Sequence, residues 1–193
     1  FSDQPFKISG TSNVLQVLME EADNIRRYEY LCNEQMASKV KALLVLKLIN
    51  EFRGENFKYD NLLKRLINNL QKNQKNQLWG WWPESPGSYW ISLHVLEALL
   101  SAEKDGYKII LNKQPIIDLL AYNLEVKSES EQIRIMKILS LLEASFAYKT
   151  HLDSLEKKKL SLADYIQVQS LKQALKLPYS TDLLLRCQKE TLF

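Results

Sequence analysis

From Asn33 to Phe52 the chain runs without a proline or glycine, and Met36, Val40, Leu43, Leu44, Leu48 and Ile49 recur at helical spacing. A run this long with an apolar stripe is an amphipathic helix, and its stripe needs other helices to cover it. The rest of the chain has the same character. Only five Gly and five Pro are spread over 193 residues, and an apolar fraction of 46% is enough to bury a core. The fold class expected is all-α.

Residues 1–10, with Pro5 and Gly10, read as a leading linker, and residues 11–193 as one helical domain. Thr11 or Ser12 can cap a helix through Val14, Leu15, Val17 and Leu18, and the Asp23–Tyr30 stretch then breaks the pattern. Gly54 stops the long helix. Another starts at Tyr59 or Asp60 and carries Leu62, Leu63, Leu66, Ile67 and Leu70.

Residues 78–87 combine Trp79, Trp81 and Trp82 with Gly80, Pro83, Pro86 and Gly87, and read as a loop. The helix after it places Ile91, Val95, Leu96, Leu99 and Leu100 on one face and ends at Asp105-Gly106, as a glycine just past a helix would end it. Pro115 opens the next in its first turn. Further helices are expected over residues 133–146, 152–157, 162–175 and from Thr181 onward. That makes about nine helices on short loops, a pattern suited to antiparallel hairpins around a common centre.

Net charge is +3, with 26 basic against 23 acidic residues, and this near balance does not build the basic face of a nucleic-acid binder. Lys157-Lys158-Lys159 reads as a solvated turn. No segment reaches the roughly 18–20 apolar residues that span a membrane, so no membrane insertion is expected of it. Two histidines and two distant cysteines, Cys32 and Cys187, supply neither a common zinc site nor a disulfide framework. Neither metal nor cofactor is expected, and Cys187 reads as a core residue of a Leu-rich helix.

Cys32 and Gln35 stand three positions apart where the long helix begins, the separation at which the two side chains of a capping box meet. A thiol and a carboxamide so placed can condense, with loss of ammonia, into an internal thioester. The surrounding string, Tyr28-Glu29-Tyr30-Leu31-Cys32-Asn33-Glu34-Gln35-Met36, resembles the Tyr-Pro-Tyr-x-Cys-x-Glu-Gln signature of the α2-macroglobulin and complement family. Glu29 stands where that family usually has Pro, and Asn33 where a small residue is common. A second block, Trp79-Gly80-Trp81-Trp82-Pro83 followed by Tyr89-Trp90 and closing on Gly106-Tyr107, is similar to the aromatic loop and following helix of bacterial members.

The resemblance implies an α/α toroid of the terpenoid-cyclase-like kind, here a partial one, as the thioester-containing domain of a larger multidomain protein. It also implies a periplasmic or cell-surface location, with lipid anchoring through the parent. The activity implied is endopeptidase inhibition in bacterial defence. A proteinase cuts a bait segment elsewhere in the parent, and Gln35 then acylates the attacker once. The partners implied are proteinases, captured through their amines, and the other domains of the parent chain. A single covalent event per molecule is not enzymatic turnover.

In such a ring the Gln35 side-chain carbonyl carbon is the electrophile and the Cys32 thiolate the leaving group. A helix start favours both a developing oxyanion and a sulfur anion. Glu34, Tyr28, Tyr30 and Met36 are candidates to support the ring, and Trp81, Trp82, Tyr89 and Trp90 to shield it from water. Glu34 can cap the helix start or orient the ring, and it reads equally as a solvated first-turn acid favoured by the helix dipole. Some complement relatives relay the acyl group through a histidine that precedes the helix matching residues 89–100. His94 lies inside that helix and His151 far beyond it, so direct attack by amines is expected over transfer to sugar hydroxyls. Two other classes compete. One is a non-covalent helical interaction module of the same family, in which no ring forms. The other is a helical-toroid enzyme, which needs clustered carboxylates where Glu20, Glu21, Glu129 and Glu131 are scattered over polar faces.

Overall fold

The computed structural model describes residues 14–29 and 31–182. It is all-helical: among the described residues there are eight α-helices, one 3-10 turn and no strand. The chain divides into two compact units, Phe1–Ile110 and Leu111–Phe193.

The first unit holds α1 (Val14–Arg27), α2 (Asn33–Phe52), α3 (Asp60–Lys72) and α4 (Tyr89–Lys104). Helix α2 is its hub and packs on the other three. Met36, Ala37, Val40, Leu43, Leu46 and Ile49 form its buried stripe, against Leu63, Leu66 and Leu70 of α3 and Ile91, Val95 and Leu99 of α4. Leu48, expected on that stripe, is 66% exposed, because Leu46 occupies the inward turn. The break expected over residues 23–30 is also corrected, since α1 continues to Arg27. Asp23 receives Arg26 at 2.7 Å and Arg27 at 2.6 Å, pairs three and four residues apart that support helix. The leading linker, the Thr11 or Ser12 cap and Tyr30 lie outside the described residues.

Gly54 and Gly106 end α2 and α4 as expected. At Gly54, φ is +68°, its N–H bonds the Glu51 carbonyl and the next N–H reaches back to Asn50. Gly106, at φ +91°, makes the equivalent pair with Glu103 and Ala102. Both are Schellman closures, in which a left-handed residue turns the chain back on the last carbonyls.

The second unit holds α5 (Lys113–Asn123), the 3-10 turn Leu124–Val126, α6 (Glu129–Leu141), α7 (Tyr148–Glu156) and α8 (Leu162–Ala174). Ile133, Ile135, Met136, Ile138 and Leu139 make α6 its core, with Ile116 and Leu120 of α5, Leu152 and Leu155 of α7, and Val168 and Leu171 of α8. Helix α6 starts four residues before the expected Ile133, because Ser128 and Glu131 form a reciprocal capping box. It stops well short of residue 146, because Glu143 takes the left-handed position at φ +58° and closes the helix onto Ser140 and Leu139. Lys176 does the same after α8. Helix α7 begins at Tyr148 rather than Leu152. Nothing in the sequence pattern signals the 3-10 turn. The last expected helix, with Cys187, falls on residues 183–193, outside the described residues.

Candidate functional site around the start of helix α2

Cys32 occupies the N-cap position of α2 and Gln35 the third helical position, so both stand on the helix's first turn. The Cys32 backbone is extended, with φ −68° and ψ 164°, and its carbonyl accepts the first helical hydrogen bond from Met36 at 2.9 Å. Its side chain caps no backbone N–H, and the residue is buried at 4% exposure. Met36, one turn on, is buried as well. Gln35 is partly exposed as a residue, but its Oε1 is buried and, among the described residues, has no hydrogen-bond partner. An amide oxygen left so is costly, by about 1–3 kcal/mol.

Asn33, the first residue of α2, is fully buried and ties the helix start to the aromatic loop. Its N–H donates to the Trp81 carbonyl at 2.8 Å, and its Nδ2 donates to the Gly80 carbonyl at 3.0 Å. Asn73, at the end of α3, donates its Nδ2 to Asn33 Oδ1 at 2.8 Å. The loop is itself braced. The Trp79 ring is buried and donates Nε1–H to the Leu70 carbonyl at 2.6 Å, while its backbone N–H donates to Ser92 Oγ at 2.8 Å. Ser88 N–H meets the Trp79 carbonyl at 2.8 Å and the Ser88 hydroxyl caps α4. The loop is thereby joined to the start of α2 through the Gly80 and Trp81 carbonyls. Trp81 stacks on Trp90 with ring centroids 5.9 Å apart, Trp90 stacks on His94 at 5.8 Å, and Trp81, Trp82 and Trp90 are each about half exposed. Tyr89 is half-buried, and Tyr28 is exposed by half.

Glu34 turns along the helix face. Its Oε1 accepts from the Ser38 hydroxyl at 3.1 Å, one turn along α2. Ser38 Oγ lies 3.0 Å from His94 Nε2, and Lys41 Nζ lies 3.2 Å from His94 Nδ1 while pairing with Glu97 at 2.7 Å. An ammonium only donates, so Nδ1 is an acceptor and the ring proton is inferred on Nε2, donating to Ser38. The chain of donors thus runs from Lys41 through His94 and Ser38 and ends on the Glu34 carboxylate. Glu34, Gln35 and Ser38 share a surface pocket of about 390 Å³ with Asn24, Ile25, Tyr28 and Lys39. Lys39 is buried, and its ammonium donates to the Tyr28 carbonyl at the end of α1. Burial first, and the Arg26 guanidinium second, hold its amine below the ordinary lysine range.

Asn33, Ser38 and His94 were not singled out by sequence as partners of this site. Ser38 sits four residues after Glu34, a spacing that signals a helix-face pair. His94 gave no such signal, because its meeting with Ser38 depends on how α4 lies across α2. His151 is elsewhere, stacked on Phe146 at 4.7 Å and 3.3 Å from Glu125. Among the described residues no group of three His, Cys, Asp or Glu could hold a metal ion, and no helix is long and apolar enough to cross a membrane. No family model, no curated protein and no solved structure matches the chain.

Proposed function

We propose that Cys32 and Gln35 condense into an internal thioester, and that the chain is the thioester-bearing domain of an α2-macroglobulin-like protein. Attacking proteinases are captured once, through an amine, by acyl transfer from Gln35. The observation that carries this reading is the buried, partnerless Gln35 oxygen one helical turn from a buried thiol. Ring closure expels the Gln35 amide nitrogen as ammonia and keeps Oε1, and a thioester oxygen, a weaker acceptor than an amide oxygen, is less costly to leave without a donor. The Asn33 anchor and the Trp-loop backbone hold the helix start where both side chains stand, and holding two reactants together supplies the effective concentration that such a condensation needs. The partial α/α toroid, the trap's bait segment in a parent chain and a periplasmic or cell-surface location belong to the same proposal. They follow from the resemblance of residues 28–36 and 79–107.

Mass spectrometry of the native protein tests the bond. The expected result is a mass lower by one ammonia, a Cys32 that resists alkylation, and the loss of that ammonia placed in the single tryptic peptide, residues 28–39, that carries both Cys32 and Gln35. A full mass with freely alkylated Cys32 would refute it and leave a non-covalent helical module. With the ring established, methylamine is expected to label Gln35 in preference to glycerol, and the reverse preference would overturn amine capture.

A further inference from the structure

We infer that the Glu34 carboxylate accepts the proton of the amine that attacks Gln35, and that Ser38 and His94 hold it in place to do so. This rests on the thioester reading above and adds to it the group that moves the proton. Glu34 is the one carboxylate among the described residues lining the pocket that Gln35 also lines, and its side chain is 26% exposed, open to an arriving amine. Ser38 and His94 are not the acceptor. The Ser38 hydroxyl proton is already directed at Glu34, and the His94 proton at Ser38, so both spend their protons on orienting the carboxylate.

The charged neighbours are few. Helix α1 lends the pocket Asn24 and Ile25, with Tyr28 just past its end, none of them a carboxylate, and its Arg26 guanidinium bears on Lys39. Helix α2 adds Lys39, turned onto the Tyr28 carbonyl, and Lys41, turned onto His94 and Glu97. Helix α4 contributes His94, whose Nε2 is 3.9 Å from Glu34 Oε1, and Glu97 behind it.

The step balances as follows. The amine nitrogen bonds the Gln35 side-chain carbonyl carbon, and the bond from that carbon to Cys32 sulfur breaks, its electron pair leaving with the sulfur. The surplus proton on nitrogen passes to Glu34 and from there to the Cys32 thiolate. The products are an amide, a free thiol and a regenerated carboxylate, with no oxidant or metal consumed. Ser38 and His94 are positioning residues, because they act through Glu34.

The test follows thiol release by methylamine against pH in the native protein and in Glu34→Gln, Ser38→Ala, Ser38→Thr and His94→Gln variants, after mass and alkylation have scored the ring in each. Positioned general bases typically contribute about 10²–10⁴-fold, so Glu34→Gln with an intact ring is expected to react about 100-fold more slowly at equal concentrations of unprotonated methylamine. Ser38→Ala and His94→Gln slow the reaction by a smaller factor, and Ser38→Thr restores it. A ring-bearing Glu34→Gln protein with the native rate and profile would overturn the assignment while leaving the thioester standing. If Glu34→Gln forms no ring, Ser38→Ala decides, and a native profile there overturns the assignment equally. A native protein with no ring removes both readings, and the mass measurement reports it before any rate is taken.

Discussion

Replacing Asn33 by alanine should loosen the start of α2 and the aromatic loop together. Asn33 is fully buried, and its side chain makes two hydrogen bonds that an alanine side chain would lack, to the Gly80 carbonyl and from Asn73. Each such bond is worth about 1 kcal/mol net, and the Gly80 carbonyl, buried and stripped of its donor, adds part of a desolvation penalty of about 1–3 kcal/mol. Asn73 is partly exposed and can turn to water, so its loss stays near the bond itself. The sum expected is about 2–3 kcal/mol, equivalent to roughly 30- to 150-fold more frequent local opening. Hydrogen exchange read by mass spectrometry on peptides covering residues 78–92 measures that ratio, with peptides from 129–141 as the unaffected reference. Asn33→Asp should fare no better than Asn33→Ala, because its second oxygen would face the Gly80 carbonyl instead of donating to it. Exchange within about threefold of the native protein, a change below about 0.7 kcal/mol, would refute the idea that Asn33 anchors the loop.

Gly80→Ala should disrupt the same junction from the loop side: an added Cβ would stand 2.5 Å from the Pro86 carbonyl oxygen and 2.6 Å from that of Ser85, backbone atoms that cannot swing away. The expected cost is about 1–3 kcal/mol of overpacking, with faster alkylation of Cys32 in ring-free protein, and an unchanged thermal midpoint would count against the contact. Asp153 offers a pH test in the second unit. Hydrogen bonds from Lys149 first and Lys172 second bring its carboxyl down from 3.8 to about 2. A depressed folded value means that its stabilisation is complete above the unfolded value and is lost as pH falls through about 2. Asp153→Asn should therefore open α7 and α8 more readily than the native chain at neutral pH and match it below about pH 2, as exchange of peptides from 148–174 would show. A gap that persists unchanged into strong acid would contradict it.

The helix ends show what the amino-acid order can and cannot announce. Gly54 and Gly106 mark their turns because glycine enters the left-handed region without a steric penalty. Glu143 and Lys176 take the same backbone shape with side chains that rarely adopt it, so no residue type announced the early end of α6 or the closing turn after α8. The start of α6 was announced, by Ser128 and Glu131 three apart, but it precedes the first apolar residue of the periodic run and escapes a reading anchored on apolar spacing. At the candidate site the shared helical turn was legible: Cys32 at the N-cap and Gln35 three residues on stand in the first turn of α2. The partners that arrive from a distance were not. Asn33 reads as an ordinary polar residue until the Trp loop folds over it, and His94 reads as an isolated ring until α4 crosses α2.

The four tryptophans, at 79, 81, 82 and 90, all belong to the first unit. One is sealed in the core and the other three are half open to water, so their emission separates into a blue component deaf to acrylamide and a red component that it quenches. The tryptophan emission of this chain consequently originates in the loop joined to the start of helix α2 and in the helix that follows that loop.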